Sequence, residues 1–240
     1  MSERDPLGLM QLSNIDFDAR NAVLMVIDMQ KGGCHPDFPA GKLQREKDPA
    51  AFDYWYGLLG RTVVPNIQRL QSFFRQHGLR VVFFRNGVLL PDASDMFPRR
   101  RFREEQNLKT LGLSEHRYQG TPGHEVLDEI APLHGELVLD KNSSGGFNST
   151  PIDQVLRNWR VDSLVITGMA TNACVETTAR DAADRGYNCI LVDDACGCKD
   201  PEAHRWTMKN FSFLFGKVMQ TSEVLGEMER QLLAGVRQGP

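Results

Sequence analysis

Apolar and polar positions alternate in blocks along this chain. Continuous apolar runs at Ala22–Ile27 (AVLMVI), Arg80–Phe84 (RVVFF), Glu136–Leu139 (ELVL), Ser163–Thr167 (SLVIT) and Asn188–Val192 (NCILV) predict strands buried on both faces. Lys217–Gln220 predicts a weaker sixth strand. Between these runs the spacing becomes helical. Thr62–His77 carries Val63, Ile67, Leu70 and Phe74 on one stripe. Gly123–Ile130 predicts a short helix, and Thr150-Pro151 supplies a cap and first-turn proline for a helix ending near Trp159. A further helix carries Cys174, and Pro201–Leu214 and Ser222–Leu233 predict the last two. Strand and helix in alternation mean βαβ units: an α/β domain with a parallel sheet and helices on both faces. Residues 1–20 read as an N-terminal extension and 21–240 as one domain. The connections Gly32–Arg61 and Gly87–Gly120 predict long loops, expected to wall the site or reach a neighbouring subunit.

Composition narrows the function classes. A net charge of -3 gives no general basic surface for nucleic acid or an anionic membrane. The local exception is Arg99–Arg103 (RRRFR), which reads as a solvated or intersubunit surface or as a site for a substrate carboxylate. No apolar run approaches the ~20 residues of a membrane span, and the first residues do not form a signal peptide. A cytoplasmic location is expected. The five cysteines do not suggest a disulfide framework, and Cys196-Gly-Cys198 reads as a turn after a strand.

In open parallel sheets ligands bind beyond the carboxyl ends of the strands. Asp28 follows the first run, Asp140-Lys141 the third and Gly168–Cys174 the fourth. Singly, each has an ordinary explanation: a turn cap, a solvated cation, a buried thiol. Together they form a coherent set. A thiol must lose its proton to attack. Asp28 can take that proton and later return it, while Lys141 holds the carboxylate and offsets developing charge. Cys174 at a helix start gains from the amides there, which can also form an oxyanion hole.

The segments "VLMVIDMQ" (Val23–Gln30), "LVLDKNSSGGFNSTPID" (Leu137–Asp153) and "VITGMATNACVETTARDAADRGYNCILVDDACG" (Val165–Gly197) resemble the isochorismatase-like cysteine hydrolases over nearly the whole chain. The resemblance implies a Rossmann-like three-layer fold with sheet order 3-2-1-4-5-6. It also implies a catalytic set of Asp28, Lys141 and Cys174. A cis Met169–Ala170 peptide would bring the amide of Ala170 beside that of Cys174 as the oxyanion hole.

The cysteine implies a C–N bond hydrolase rather than a vinyl-ether-cleaving isochorismatase. "FFRNGVLLPDASDM" lacks the histidines of the metal-binding nicotinamidases, so no metal and no cofactor are expected. The motifs look most like the branch acting on ureidoacrylate, biuret and N-carbamoyl compounds. Leu214 replaces a glutamine of biuret hydrolases, and Ser144 an aromatic residue of ureidoacrylate enzymes. Gln30, Asn86, Phe147 and Asn172 are the candidate substrate contacts. A small-molecule substrate and a homodimer or homotetramer are expected. A hydrolase of another carboxamide, nicotinamide- or maleamate-like, and a non-catalytic metabolite-binding member are the alternatives.

Overall fold

A computed structural model describes residues 15–112 and 118–236. Six strands run β1 Ala22–Ile27, β2 Arg80–Asn86, β3 Leu137–Lys141, β4 Ser163–Met169, β5 Asn188–Gly197 and β6 Lys217–Met219. All neighbours are parallel, in the order β3-β2-β1-β4-β5-β6. This is the expected order, and it reverses between β1 and β4.

The helices in chain order are α1 Lys31–Cys34, α2 Pro39–Lys47, α3 Pro49–Leu58, α4 Val64–Gln76, α5 Pro98–Leu111, α6 Gly146–Ser149, α7 Ile152–Asn158, α8 Glu176–Asp184, α9 Pro201–Leu214 and α10 Thr221–Val236. Side chains leave a strand alternately to its two faces, so each continuous apolar run feeds two cores. Leu24, Val26, Val81, Phe83, Val165 and Ile190 pack with Trp55, Ile67, Phe74 and Met228 on one side. Val23, Met25, Ile27, Val82, Phe84 and Leu164 pack with Leu156, Ala179 and Phe211 on the other.

Strand ends differ from expectation in a consistent direction. β2, β3, β4 and β5 all continue past their apolar runs, so Asn86, Lys141, Met169 and Cys196 lie in the sheet. Pairing with a neighbour continues where side chains have turned polar, and hydropathy does not register it. Cys196 and Gly197 therefore end the strand, and Cys198 follows it.

The two expected loops are largely helical. Gly32–Arg61 forms α1, α2, α3 and most of a wide π-helical turn, Leu59–Val63, that runs into α4. Pro39 and Pro49 sit in the first turns of α2 and α3, and the Asp48 carboxylate caps the Ala51 amide at 3.1 Å. Gly87–Gly120 contains α5, closed by Gly112 in a left-handed conformation; its polar sequence shows no apolar stripe. Residues 113–117 of that connection lie outside the described residues.

Gly123–Ile130 is not one helix. It is two single 3₁₀ turns, Pro122–His124 and Asp128–Ile130, separated because Val126 bridges antiparallel to Gln30. The helix expected after Thr150-Pro151 starts at Ile152, whose amide is accepted by the Thr150 hydroxyl at 3.3 Å. Of the expected extension, residues 1–14 lie outside the described residues. Phe17 and Ala19 are buried in the core, and the Gln231 side chain bonds backbone groups of both.

Gly168 holds β1 and β4 together at the order reversal. Its φ is +115°, and a Cβ there would stand 2.1 Å from the carbonyl oxygen of Ile27. Gly226, in α10, has open space around it. Urea denaturation is expected to separate them. Gly168→Ala should lower the unfolding free energy by roughly 3 kcal/mol or more. Gly226→Ala should raise it by about 0.5–1 kcal/mol. Equal effects would contradict the close approach.

Candidate active site

Lys141 ends β3 and Asp28 follows β1, with β2 between them. Strands stand ~4.8 Å apart, so only a long side chain crosses β2. Lys141 does so: it is wholly buried, and its Nζ donates to Asp28 Oδ2 at 2.8 Å. It also donates to the carbonyls of Ser143 at 3.1 Å and Ser144 at 3.0 Å. Three protons thus meet three acceptors. Asp28 has a left-handed backbone, φ 55°, and its amide donates to the Phe84 carbonyl at 3.0 Å. Its other oxygen, Oδ1, is buried and has no partner of hydrogen-bonding geometry among the described residues.

Cys174 arrives from the other side of the order reversal. β4 ends at Met169, the Met169–Ala170 peptide is cis, and a wide π-helical turn, Thr171–Val175, leads into α8. The nucleophile candidate lies inside this turn. The amides flanking it, of Ala173 and Val175, both donate to the Ala170 carbonyl, at 3.0 and 3.2 Å. Its own carbonyl accepts from the Thr178 hydroxyl at 2.6 Å, and the same hydroxyl accepts from the Gly146 amide at 3.0 Å. Thr178 therefore ties the cysteine turn to the loop that holds Lys141.

The thiol is a weak acid in this setting. Burial pushes Cys174 up to about 12, and the charge of the neighbouring Asp28 carboxylate adds to the rise. Lys141 opposes these effects. The resting sulfur is thus protonated at neutral pH, the gain expected from a helix start being outweighed by burial and the Asp28 charge.

The candidate substrate contacts separate on inspection. Gln30 is wholly buried and its amide is spent on backbone. Oε1 accepts from the Asn86 amide at 2.9 Å, and Nε2 donates to the carbonyls of His124 at 2.8 Å and Asn86 at 3.2 Å. It pins the chain after Asp28 rather than offering hydrogen bonds to a substrate. Phe147 belongs to the core, beside the Tyr187 ring. Asn86 donates to the Ser143 carbonyl at 2.8 Å and accepts from Arg100 at 2.9 Å, so it braces the lysine loop. Asn172 is exposed on the cysteine turn and accepts from the Cys198 thiol at 3.0 Å.

Arg99–Arg103 is only partly a solvated surface. Arg100 is buried against Asn86, and Arg99 reaches Ser144 Oγ at 3.2 Å. The sequence placed Asp140 at a strand end without a role and did not point to His124. His124 Nε2 lies 2.8 Å from Asp140 Oδ1, and Arg85 forks onto both Asp140 oxygens at 2.8 and 3.1 Å. Burial raises the Asp140 carboxyl, but these partners outweigh it and hold it below the usual carboxylate range. A lone strand-end Asp beside Lys141 was the available signal; its partners come from distant segments. Among the described residues no cluster of three or more His, Cys, Asp or Glu could hold a metal ion.

The doubly wound sheet carries a cysteine turn beside a buried Asp–Lys pair at its order reversal, and residues 22–223 match the isochorismatase domain. The chain belongs to this family, whose members are hydrolases. A cysteine hydrolase from Pseudomonas syringae pv. phaseolicola is similar at 26% identity and TM-score 0.73, covering 92% of this chain and 100% of that one. The N-carbamoylsarcosine amidase from Thermoplasma acidophilum is similar at 27% identity and TM-score 0.59, covering 84% and 96% respectively. An isochorismatase family protein from Desulfovibrio vulgaris shares the fold at 24% identity and TM-score 0.69, covering 90% and 99%.

Because Asp28 raises the Cys174 thiol, Asp28→Asn is expected to lower it, leaving Lys141 as the dominant nearby charge. Thiolate absorbance in the ultraviolet, referenced to Cys174→Ala in each background, should appear at lower pH in Asp28→Asn than in the wild type. An unchanged or higher titration point would show that the carboxylate does not face the thiol.

Proposed function

We propose that this chain is a cysteine-dependent amidohydrolase that cleaves a C–N bond of a small ureido or carbamoyl compound. The observation that carries the reading is the buried Asp28–Lys141 pair beside Cys174, with Asp28 Oδ1 lacking a partner among the described residues. A buried carboxylate oxygen without a hydrogen bond is costly. It is repaid when a proton donor arrives, first the thiol and then the leaving nitrogen.

The chemistry follows from a thiol held up to about 12. Free thiolate is scarce at neutral pH, so attack is coupled to proton transfer. Asp28 Oδ1 takes the Cys174 proton as the sulfur adds to the substrate carbonyl. The carbonyl oxygen becomes an oxyanion, placed against the amides of Ala170 and Cys174. The C–N bond breaks, and ammonia or an amine leaves with the proton from Asp28, giving a thioester on Cys174. Asp28 then deprotonates a water, which adds to the thioester and regenerates the thiol. Lys141, its protons committed to Asp28 and two carbonyls, keeps the carboxylate placed throughout. Asn172, exposed on the cysteine turn, is the freer of the substrate-contact candidates, and Asn86 braces the lysine loop beside the site.

The carbamoyl assignment is supported by the similarity to the N-carbamoylsarcosine amidase. It is tested by ammonia release over N-carbamoyl amino acids, ureidoacrylate, biuret, nicotinamide and maleamate. Turnover confined to the last two would replace the ureido reading with a carboxamide one. Cys174→Ala should reduce kcat by roughly 10⁴-fold or more, and Asp28→Asn by about 10²–10⁴-fold. The Asp28→Asn loss should occur although that variant ionises its thiol more readily. Undiminished turnover by Cys174→Ala would overturn the mechanism.

A further inference from the structure

We propose that His204 is a positioning residue for the cysteine turn, acting through the hydroxyl of Thr171. The inference rests on Cys174 being the nucleophile.

Thr171 opens the π-helical turn, is fully buried, and lies three residues before Cys174. Its Oγ1 stands 2.9 Å from His204 Nδ1 on α9. His204 Nε2 stands 2.9 Å from Asp193 Oδ1, and Gln220 Nε2 donates to Asp193 Oδ2 at 2.7 Å. The hydrogen bond from His204 holds the Asp193 carboxyl below its ordinary range. With the Nε2 proton directed at the Asp193 carboxylate, the neutral imidazole offers Nδ1 as the acceptor for the Thr171 hydroxyl. The Thr171 hydroxyl then has one direction in which to donate. The chain of bonds fixes that hydroxyl, and with it the first residue of the turn.

Two further features make this a device for the turn. Asp193 sits where β5 slips its register against β4, between the pairs Ile166–Leu191 and Gly168–Cys196. That irregularity lies beside the point where the cysteine turn leaves β4. One turn along α9 from His204, the Thr207 hydroxyl donates to Glu176 Oε2 at 3.1 Å. α9 therefore holds Thr171 and Glu176, residues on either side of Cys174, and acts as a splint across the nucleophile. His204 does not touch the sulfur in this arrangement, and its effect is on where the sulfur stands.

Thr171→Val removes the hydroxyl at nearly constant volume, and Thr171→Ser retains it. The readouts are the rate of Cys174 alkylation by iodoacetamide, mapped by peptide, and kcat and KM on the best substrate of the amide panel. Thr171→Val should lower the alkylation rate and kcat by about 10–100-fold, in the range that a ~1 Å misplacement costs, with KM little changed. Thr171→Ser should recover most of both, and His204→Ala should match Thr171→Val. If His204→Ala fails to fold, the Thr171 pair still decides. Wild-type rates in Thr171→Val, equal impairment of Val and Ser, or a change in KM alone would overturn the proposal. Cys174→Ala separates the two readings. If it is inactive while Thr171→Val is normal, only the positioning role falls; if it is active, the nucleophile itself is misassigned.

Discussion

Everything in the site depends on one pair of charges taken out of water: the Lys141 ammonium and the Asp28 carboxylate, 2.8 Å apart and buried. Removing two ions from water costs several kcal/mol each, and mutual attraction offsets this only with good geometry and additional hydrogen bonds. The ammonium has them, in the carbonyls of Ser143 and Ser144. The carboxylate is left half satisfied. Such a pair is weak as a stabilising device, because well-packed apolar side chains of similar volume would often serve stability as well. In the proposed reaction the unsatisfied oxygen takes the thiol proton, which gives the pair a use that stability alone does not.

The fold is arranged to keep that pair in place. The order reversal sets the cysteine turn, which leaves β4, next to Asp28 at the end of the adjacent β1, while Lys141 crosses from β3 over the end of β2. Each contributor has its own brace. Gln30 ties the chain after Asp28 to Asn86 and His124, Asn86 and Arg99 bear on the lysine loop, and Thr178 joins that loop to Cys174. A reacting group displaced by ~1 Å can lose a hundredfold in rate. The density of side chain to backbone bonds here matches that requirement better than any requirement of stability.

How much of this could be read from the residues depends on the range of the physics involved. The strands of the sheet were legible, because burial on both faces writes a continuous apolar run. Asp28, Lys141 and the Gly168–Cys174 turn were legible because strand ends are where such sheets place ligands. The polar ends of β3 and β5 were not, since pairing there no longer follows hydropathy. α5 was missed for a related reason: PRRRFREEQNLKTL has no apolar stripe, and only Pro98 and Gly112 mark its ends. Gln30 and Phe147 stood open between two roles, loop anchor or substrate contact for the one and core or pocket wall for the other, because a one-dimensional pattern cannot tell a side chain spent on the protein from one held ready. Long-range pairings such as His204 with Asp193 and Thr171 leave no local trace at all.

The candidate groups and the segments around them come from different parts of the fold. The groups that would make and break bonds sit on strand ends and on the turn after β4, whose positions the sheet dictates. α2, α3 and α5 come from the connections between β1 and β2 and between β2 and β3, segments free to change length without disturbing the sheet. α5 nevertheless sends Arg99 and Arg100 to Ser144 and Asn86, the residues that frame the lysine loop. A change in α5 would therefore act on the shape and charge around Lys141 while leaving the Asp28–Lys141 contact itself to the strands.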